Sequence, residues 1–395
     1  MKKLVLAYSG GLDTSYCAHY LSHEEDYEVH AVTVNTGGFD GEELKEIESR
    51  ALELGVHSYR AIDAVQSFYD RVVRYLVFGN ILRNNTYPLS VSAERIVQAM
   101  EIAQYARDTG ATHIAHGSTG AGNDQVRFDL IFQIMAPEVQ IITPIRDNQL
   151  SREAEIKYLR DAGIPYAWEK AKYSINKGLW GTSVGGDETL GSLKPLPDHA
   201  YPSALGKEGS ETVTLDFTKG ELSAVNGKKD TPVANILKLE ALASEYAIGR
   251  DIHVGDTIIG IKGRVGFEAA APLIILKSHH LLEKHTLSKW QQFQKEQLGS
   301  FYGMLLHEGQ YLDEVMRNIE AFLEDSQRKV TGRVFVKLHP YRFELEGIES
   351  KNDLMDASFG SYGELNRGWS AEDAKGFIKI LSNSGRIASQ IQSDS

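Results

Sequence analysis

A short polar loop close to the amino terminus has the residues best suited to hold a phosphate group. The segment Ser9–Ser15 reads SGGLDTS and directly follows the apolar run Lys3–Tyr8. Two glycines let the backbone turn tightly and bring N–H groups close to an anion. A helix starting at Thr14 would add its first N–H groups and its macrodipole, which favour an anion by about 0.3–2 kcal/mol. The loop is therefore predicted to hold phosphate, for which the alternative is an ordinary strand-to-helix turn.

Asp13 stands out in this loop, because a carboxylate repels a phosphate unless a cation lies between them. A magnesium ion carried by a pyrophosphate group would remove that repulsion. No lysine follows the glycines as in a Walker A loop, and the spacing is not that of a dinucleotide-binding G-x-G-x-x-G turn. The single cysteine, Cys17, rules out a multi-cysteine metal site. Metal is thus expected only as magnesium on a bound nucleotide, with no cage of protein ligands.

A second glycine-rich loop, His116–Asp129, follows the apolar run Thr112–Ala115 and reads HGSTGAGNDQVRFD. Its threonine, asparagine, aspartate and arginine side chains could make several contacts to a small zwitterion. Gly117 would let the backbone approach a nucleotide. On composition alone, a surface loop in which Arg127 is a solvated charge explains the segment equally well.

The elements that must position these loops alternate between short apolar runs and amphipathic stretches. Helices are predicted at Gly41–Leu54, capped by Asp40 and ended by Gly55, and at Ser92–Thr109. This alternation predicts an α/β nucleotide-binding domain at residues 1–166, with a doubly wound parallel sheet and ligands at the carboxyl ends of its strands. The predicted strands are Lys3–Tyr8, Val29–Val34, His57–Ile62, Thr112–Ala115 and Val139–Thr143.

The pattern changes after about residue 165. Helices at about 231–246 and 288–301 are interleaved with apolar runs, which favours a second, α+β domain at residues 167–362. The predicted strands are Glu211–Phe217, Ile258–Ile261 and Arg333–Leu338. A tail at 363–395 is predicted to form one helix, Ala371–Leu381, followed by a polar end. Because this helix has no obvious neighbour in its own domain, we expect it to pack on another subunit.

Composition narrows the compartment and the partners. The 395 residues are 42% hydrophobic and 24% charged, with a net charge of −12, as in ordinary soluble proteins. No window approaches the roughly 18 consecutive apolar residues of a transmembrane helix, and the first apolar run is too short for a signal peptide. With one cysteine, these features predict a cytoplasmic protein that binds neither membrane nor nucleic acid, since a negative surface disfavours a phosphate backbone.

Two motifs carry a resemblance to known families. The first loop resembles the SGG-x-D-[ST]-S signature of ATP-pyrophosphatases, which cleave ATP to AMP and pyrophosphate while adenylating a substrate. The second loop is similar to the HG-x-TG-x-GNDQVRF motif of the argininosuccinate synthase family. Further similarities to that family extend over nearly the whole chain, at Tyr173–Ser183, Phe301–Asp313, Arg333–Leu338 and Tyr362–Asn366.

The resemblance implies a two-step ligation in arginine biosynthesis. The ureido oxygen of citrulline attacks the α-phosphorus of ATP, pyrophosphate leaves, and the aspartate amine then displaces AMP. It also implies ATP with Mg²⁺ as a substrate, no prosthetic group, no evident general acid or base, and a homotetramer. The residues that it assigns to ATP are Ala7, Tyr8, Ser9, Gly10, Gly11, Leu12, Asp13, Thr14, Ser15, Val34 and Gly117. It assigns Thr119, Asn123 and Asp124 to aspartate, and Tyr87, Ser92, Asn123, Arg127, Ser174 and Ser183 to citrulline.

The chain departs from the family pattern mainly where citrulline would bind. Gly255 stands where the family has a citrulline-binding glutamate, and Phe267 stands where it has a tyrosine. Ala121 also replaces a lysine, and residues 88–95 read PLSVSAER in place of a text closer to LGTSLARP. Without the glutamate and the tyrosine hydroxyl, the α-ammonium of citrulline would be short of acceptors.

Two interpretations of these departures remain open. Neighbouring groups such as Glu268 or Asp256 compensate, or the register slips by one residue. Alternatively, the substrate is a citrulline acylated on its α-nitrogen. Gly255 would then leave room for the acyl group, and Lys262 or Arg264 could meet an extra carboxylate.

Other functions are compatible with the first loop taken alone, including asparagine, GMP and NAD synthetases. A tRNA thiolase shares the loop, but commonly needs cysteines to carry sulfur or an iron–sulfur cluster, and Cys17 is the single cysteine here. A glutamine-dependent synthetase needs a glutaminase nucleophile, for which this amino-terminal sequence offers no candidate. A non-catalytic sensor of adenine nucleotides would keep the loop without releasing pyrophosphate in response to aspartate.

Overall fold

The computed structural model describes residues 2–164, 172–356 and 368–393. Its amino-terminal part is an α/β unit. The strands are β1 (Lys2–Ala7), β2 (Tyr27–Asn35), β3 (Ser58–Asp63), β4 (His113–Ala115) and β5 (Gln140–Ile142). The helices are α1 (Leu12–His23), α2 (Gly41–Glu53), α3 (Val65–Phe68), α4 (Arg74–Phe78), α5 (Ser90–Asp108), α6 (Asp124–Met135), α7 (Pro144–Asp147) and α8 (Arg152–Asp161), with a π-helical turn, Tyr69–Val73, between α3 and α4.

These five strands form one parallel sheet in the order β3-β2-β1-β4-β5. Side chains of β1 alternate between the two faces, as the pleat of a strand requires. Leu4 and Leu6 pack with α1, α2 and α8 on one face, whereas Val5 and Ala7 pack with α5 and α6 on the other. Helices therefore cover both faces, which confirms the predicted doubly wound α/β fold.

Helix α2 begins and ends as its sequence predicts. The Asp40 carboxylate accepts hydrogen bonds from the N–H groups of Glu42 and Glu43, both at 2.9 Å, and the Glu43 carboxylate accepts one from the Asp40 N–H at 2.8 Å. At the other end, Gly55 has a φ of +88°, which a glycine adopts without strain. The helix supports the phosphate loop, because Arg50 donates a hydrogen bond to the Gly10 carbonyl at 2.7 Å.

The remainder of the described chain contains two antiparallel sheets. One is formed by β6 (Ser174–Gly178), β7 (Gly181–Gly185), β11 (Arg250–Asp256) and β12 (Lys262–Glu268), in the order β11-β12-β7-β6. The other is formed by β8 (Glu211–Thr218), β9 (Glu221–Val225), β10 (Lys228–Lys229), β13 (Gly332–His339) and β14 (Arg342–Glu349), in the order β10-β9-β8-β13-β14. The helices are α9 (Pro232–Ser244), α10 (Ala270–Thr286), α11 (Lys289–His307), α12 (Glu314–Ser326), α13 (Ala371–Leu381) and α14 (Asn383–Ser393).

The predicted strand Ile258–Ile261 is wrong, because these residues form the turn between β11 and β12. The Thr257 N–H donates to the Ile261 carbonyl at 2.8 Å, and the Gly260 N–H donates to the Thr257 carbonyl at 3.0 Å. Gly260 supplies the positive φ, +85°, that the turn needs. Ile259 and Ile261 are 43% and 63% exposed, so the apolar run reflects solvent-facing isoleucines at a hairpin tip.

Other parts of the second region also differ from the prediction. Helices α10 and α12 were not predicted, α11 continues past residue 301 to His307, and the tail contains a second helix, α14. The predicted domain boundaries, 166/167 and 362/363, and the motif Tyr362–Asn366 lie outside the described residues. None of the described helices combines the length and the apolar character that crossing a membrane requires.

Candidate active site

Both glycine-rich loops open into one cavity of about 1170 Å³ at the carboxyl ends of β1, β2 and β4. The facing wall comes from β6, β7, β11 and β12, and His307 closes it from the end of α11. A pocket for one small ligand usually measures about 300–1,000 Å³. This cavity therefore has room for more than one ligand, at the edge of the sheet where a doubly wound fold binds them.

The cavity brings together most of the predicted site residues. Those lining it are Ala7, Tyr8, Ser9, Gly11, Leu12, Asp13, Thr14, Val34, Tyr87, Ser92, Gly117, Thr119, Asn123, Asp124, Arg127, Ser174, Ser183 and Gly255. Gly10, Ser15 and Phe267 do not line it. Ser15 is fully buried, with its Oγ 3.5 Å from the Tyr8 hydroxyl, and Gly10 packs against Ile47 behind the loop.

Thr14 organises the first loop. Its hydroxyl accepts from the Ser9 N–H at 3.3 Å, lies 3.2 Å from the Ser9 Oγ, and donates to the Gly11 carbonyl at 3.3 Å. Gly11 is the N-cap of α1, where no side chain caps the helix. The first N–H groups of α1 thus remain available to an anion.

Gly117 lets the two loops meet. A Cβ atom at this position would lie 3.1 Å from the Asp13 carbonyl carbon and 3.2 Å from both the Asp13 Cβ and the Thr14 nitrogen. Such contacts are shorter than ordinary van der Waals separations. The second loop can therefore rest directly on the start of α1 because residue 117 has no side chain.

Two carboxyl groups lie together beside the phosphate loop. Glu155 of α8 is 2% exposed, and its Oε2 has no hydrogen-bond partner within the described chain. Burial raises the pKa of Glu155 to about 8, and the charge of Asp13 and a hydrogen bond to it add to the rise. Carboxylate oxygens next to a nucleotide's phosphates are the ligands that Mg²⁺ takes in nucleotide sites. Asp13, which lines the cavity, is thus the carboxylate of this pair that fits a magnesium ion carried on a nucleotide.

A buried histidine holds the second loop in place. The Ser118 N–H donates to His116 Nδ1 at 3.2 Å, so Nε2 carries the proton and donates to Asp129 at 2.8 Å. Arg146 reaches the other oxygen of Asp129 at 2.7 Å. Burial alone would raise the pKa of Asp129, but the hydrogen bonds from His116 and Arg146 lower it. Asp129 therefore stays ionised and holds both partners.

An arginine–aspartate–arginine cluster forms the floor of the cavity. Arg95 Nε lies 3.0 Å from one oxygen of Asp124, and Arg127 Nη1 lies 2.8 Å from the other. Burial would raise the pKa of Asp124, but the charges of the two arginines lower it. Arg127 also donates to the His307 carbonyl at 2.9 Å and to the Ser92 Oγ at 3.0 Å. Asp124 is thus already paired, which limits its use as an acceptor for a substrate amine.

The residues predicted for the citrulline end divide into two groups. The first group lines the cavity and consists of Tyr87, Ser92, Asn123, Arg127, Ser174, Ser183 and Gly255. Phe267 pairs with Ser183 across β12 and β7, is fully buried, and has its ring centroid 5.4 Å from that of Tyr87. Phe267 therefore supports the wall from behind.

The cavity is also lined by residues that were not predicted as site residues, among them Glu94, Arg95, Asn176, His253 and His307. Burial raises the pKa of Glu94 to about 8, and its Oε1 has no partner within the described chain. Glu94 and Arg95 fall in the segment where the chain departs from the family text. His253 lies two residues before the substituted Gly255. The departures from the family pattern at residues 88–95 and at Gly255 were therefore the sequence features that could have indicated Glu94, Arg95 and His253 as site residues.

A separate group of possible metal ligands lies away from the cavity. Carboxylate and imidazole atoms of Glu28, His30 and His57 lie within 4.8 Å of one another. His30 Nε2 is 2.9 Å from Glu28, and its Nδ1 is 2.6 Å from the Ser58 Oγ. Both ring nitrogens of His30 therefore already have partners.

Family comparisons agree with this fold and site. The parallel sheet and its loop-lined edge define an α/β nucleotide-binding protein, and residues 3–165 match the family model described as "Arginosuccinate synthase N-terminal HUP domain". Residues 173–388 match "Arginosuccinate synthase C-terminal domain". The chain belongs to the argininosuccinate synthase family, whose members are ATP-dependent ligases of citrulline and aspartate in arginine biosynthesis.

Curated relatives match over almost their whole length. An argininosuccinate synthase of Xanthomonas campestris is 37% identical over 403 residues, with 99% of each chain covered. One from Methanocaldococcus jannaschii is 36% identical over 363 residues, with 91% of each chain covered. One from Dictyoglomus turgidum is 35% identical over 382 residues, with 96% of each covered. The predicted family resemblance is thus confirmed.

Proposed function

We propose that this cavity joins aspartate to a citrulline-type substrate at the expense of ATP. The ureido oxygen attacks the α-phosphorus, and the bond from that phosphorus to pyrophosphate breaks. The aspartate amine then attacks the ureido carbon, the carbon–oxygen bond to AMP breaks, and the amine gives up its protons to solvent. The observation that carries this proposal is that both loops and the predicted substrate residues share one cavity.

ATP is proposed to lie against the first loop, with its phosphates at the start of α1 and its adenosine near Val34. The open N-cap of α1 and the exposed hydroxyls of Ser9 and Thr14 support this placement. Asp13, with Glu155 behind it, would hold Mg²⁺ on the nucleotide. When bound, the ion supplies neutralisation of the phosphate charge that develops as pyrophosphate leaves. The chain's own contribution is a fixed loop that orients the α-phosphate.

The two amino-acid substrates are proposed to occupy the rest of the cavity. Thr119, Asn123 and Asp124 are assigned to aspartate, with Arg95 as a nearby cation for a carboxylate. Tyr87, Ser92, Asn123, Arg127, Ser174 and Ser183 are assigned to the citrulline-type substrate. Because the Arg95–Asp124–Arg127 cluster is already ionised and hydrogen-bonded, it can hold the reactants without reorganising during the reaction.

We also propose that the protein works as a cytoplasmic homotetramer. One cysteine, which is buried, suits a reducing compartment. Helices α13 and α14 leave apolar side chains exposed, among them Phe377, Ile380 and Ile391 at 64%, 71% and 67%. A second copy of the chain would cover that face.

Measurement of pyrophosphate and AMP release tests the function. The purified chain receives ATP and Mg²⁺ with aspartate, a citrulline-type substrate, both, or neither. Stoichiometric AMP and pyrophosphate are expected when both are present, together with an argininosuccinate-type product. Nucleotide binding without turnover under all four conditions would indicate a nucleotide sensor, and turnover indifferent to aspartate would indicate another ATP-pyrophosphatase.

A further inference from the structure

One wall of the cavity combines hydrogen-bond donors from distant parts of the chain. Tyr87, His253 and His307 form it, and we refer to them as the donor wall. His253 and His307 are each 6% exposed and Tyr87 is 4% exposed. All three line the cavity. Their remaining hydrogen-bonding capacity determines what chemical group this end of the cavity accepts.

His307 presents an N–H group. Its Nδ1 lies 3.3 Å from Nη2 of Arg127 and 3.0 Å from the Ser92 Oγ. Because a guanidinium can only donate, Nδ1 is the acceptor and Nε2 carries the proton. Nε2 is buried and has no hydrogen bond of normal geometry in the described chain. Burial lowers the pKa of His307 to about 3, the charges of Arg127 and Arg83 lower it further, and the Asp256 carbonyl opposes this, so the ring is neutral.

His253 and Tyr87 complete the wall. Their rings stack with centroids 5.3 Å apart. His253 Nδ1 is buried without a partner in the described chain, and burial lowers the pKa of the ring. The Tyr87 hydroxyl accepts from the Ser90 Oγ and the Val91 N–H, both at 3.1 Å. Its own hydrogen therefore remains to be donated.

The imidazole ring of His253 fills the space next to Gly255. A Cβ atom at residue 255 would lie 2.7 Å from His253 Nε2 and 3.2 Å from Asn84 Nδ2. The expectation that Gly255 leaves open room is thus corrected, because the imidazole occupies that space. The glycine allows a ring nitrogen to stand where a longer side chain at residue 255 would project.

Asp124 and Asp256 line this cavity but are already paired, and Glu94, whose pKa burial raises to about 8, keeps its proton. Asp256 lies 2.6 Å from Lys262, and Asp124 is held by Arg95 and Arg127. Arg264 is likewise engaged, since its Nη1 donates to the carbonyls of Glu188, Gly191 and Lys194. Lys262 and Arg264 are therefore poorly placed to meet an extra carboxylate, contrary to the expectation from sequence.

This inventory fits an amide better than an ammonium. An α-ammonium group needs acceptors, and leaving it buried beside donors is strongly unfavourable. An acylated α-nitrogen carries no charge, and its acyl oxygen accepts from N–H and O–H groups. We propose that the ureido substrate is a citrulline whose α-nitrogen is acylated, with the acyl oxygen bound by the donor wall. This inference rests on the proposed function and specifies its substrate.

Comparison of kcat/KM for free and acylated citrulline tests this proposal. The full chain is assayed for aspartate-dependent pyrophosphate release with citrulline, N-acetylcitrulline and N-succinylcitrulline. The better acylated substrate is expected to exceed free citrulline in kcat/KM by about 100-fold or more, as for a site whose polar groups would otherwise be unpaired. A preference for the succinyl over the acetyl compound would show that a second carboxylate is also recognised. Either order among the acylated compounds supports the proposal.

A variant links the preference to the donor wall. His253→Phe keeps a ring against Tyr87 but removes both nitrogens, so the preference for the acylated substrate is expected to fall about 10-fold. His57→Phe, a similar change at a 57% exposed side chain outside the cavity, is the control and should keep the wild-type ratio. Thermal unfolding of both variants shows whether each is folded.

Two results would overturn the proposal in distinguishable ways. If free citrulline is used as well as or better than both acylated compounds, the substrate inference fails while the proposed function stands. If none of the three compounds supports pyrophosphate release, the proposed function fails and the inference fails with it. A wild-type preference that His253→Phe leaves intact would remove the donor wall as its cause.

Discussion

Thr14 is the residue on which the first loop most depends, because one hydroxyl joins Ser9 to Gly11. Replacing Thr14 with valine keeps the shape and removes these exposed hydrogen bonds, each worth about 0.5–1.5 kcal/mol. We expect kcat/KM for ATP to fall about 10- to 100-fold in steady-state assays. Thr14→Ser keeps the hydroxyl and should stay within about 3-fold of wild type. Equal losses in the two variants would show that the hydroxyl alone does not account for the role of Thr14.

Glu94 makes stability depend on pH in a direction opposite to that of most carboxylates. Burial raises its pKa from 4.5 in the unfolded chain to about 8 in the folded protein. Between these two pKa values the folded state keeps a proton that the unfolded state releases. The contribution of Glu94 to the free energy of unfolding is therefore fully present below pH 4.5 and is lost as pH rises through about 8.

Glu94→Gln removes that titration. The free energy of unfolding in urea should fall with pH more steeply in the wild type than in the variant, by about 2–3 kcal/mol between about pH 6 and about pH 8. Buried Glu155 and Glu240, whose pKa values are also raised, contribute equally to both proteins and cancel in the difference. Glu46→Gln, at an exposed position of α2, is the control. Parallel slopes for wild type and Glu94→Gln would mean that Glu94 ionises normally.

At the scale of elements, the contact between the second loop and α1 depends on one missing side chain. Gly117→Ala places a methyl group 3.1–3.2 Å from Asp13 and Thr14 atoms, so the loop or the helix start must shift. Overpacking of this kind costs about 1–3 kcal/mol, and the displaced phosphate loop should raise KM for ATP about 10-fold.

Gly122→Ala, in the same loop, meets nothing closer than 3.9 Å and should leave KM for ATP near the wild-type value. The two variants are compared by titrating ATP at saturating aspartate and ureido substrate. A Gly117→Ala enzyme with the KM and melting temperature of Gly122→Ala would show that the two loops do not press on each other.

A helix or strand could be predicted from sequence when the residues that determine it lie within or next to it in the chain. All five parallel strands and α2 were found from sequence because apolar runs, Asp40 and Gly55 act within a few residues of themselves. Helix α10 was missed, since it is buried on several sides and its residues Ala270–Ile275 give no amphipathic stripe. The run Ile258–Ile261 was misassigned because β-propensity does not distinguish a strand from an exposed hairpin tip.

The site shows the same division. The two glycine-rich loops could be predicted because glycines directly after a strand indicate a turn. His307 could not be, since it reaches Ser92 across 215 positions, a contact that only packing of α11 against α5 creates. From sequence, Glu94 is typical of a solvated helix residue beside Arg95. Its burial depends on Gly178, which packs against its carboxyl group and is distant in sequence.

At the scale of the whole molecule, the cavity is lined by residues of both the amino-terminal α/β unit and the region that follows it. The parallel sheet supplies the nucleotide loops, while β6, β7, β11 and α11 supply the wall for the second substrate. Glycines permit the closest approaches: a Cβ at Gly38 would lie 2.1 Å from the Lys177 carbonyl oxygen. Neither region alone contains the cavity, which explains why site residues are spread from Ala7 to His307.

We expect another copy of the chain to cover the exposed helices α13 and α14. Phe377, Ile378, Ile380 and Leu381 are 63–71% exposed, an arrangement typical of an interface. Light scattering after gel filtration should give about four times 43.9 kDa for the wild type. Phe377→Glu combined with Ile380→Glu should yield smaller species, because burying two carboxylates in an apolar contact costs several kcal/mol. Lys379→Glu, on the same helix, should keep the full assembly; a wild-type protein of 43.9 kDa, or a double variant that still assembles, would contradict this role.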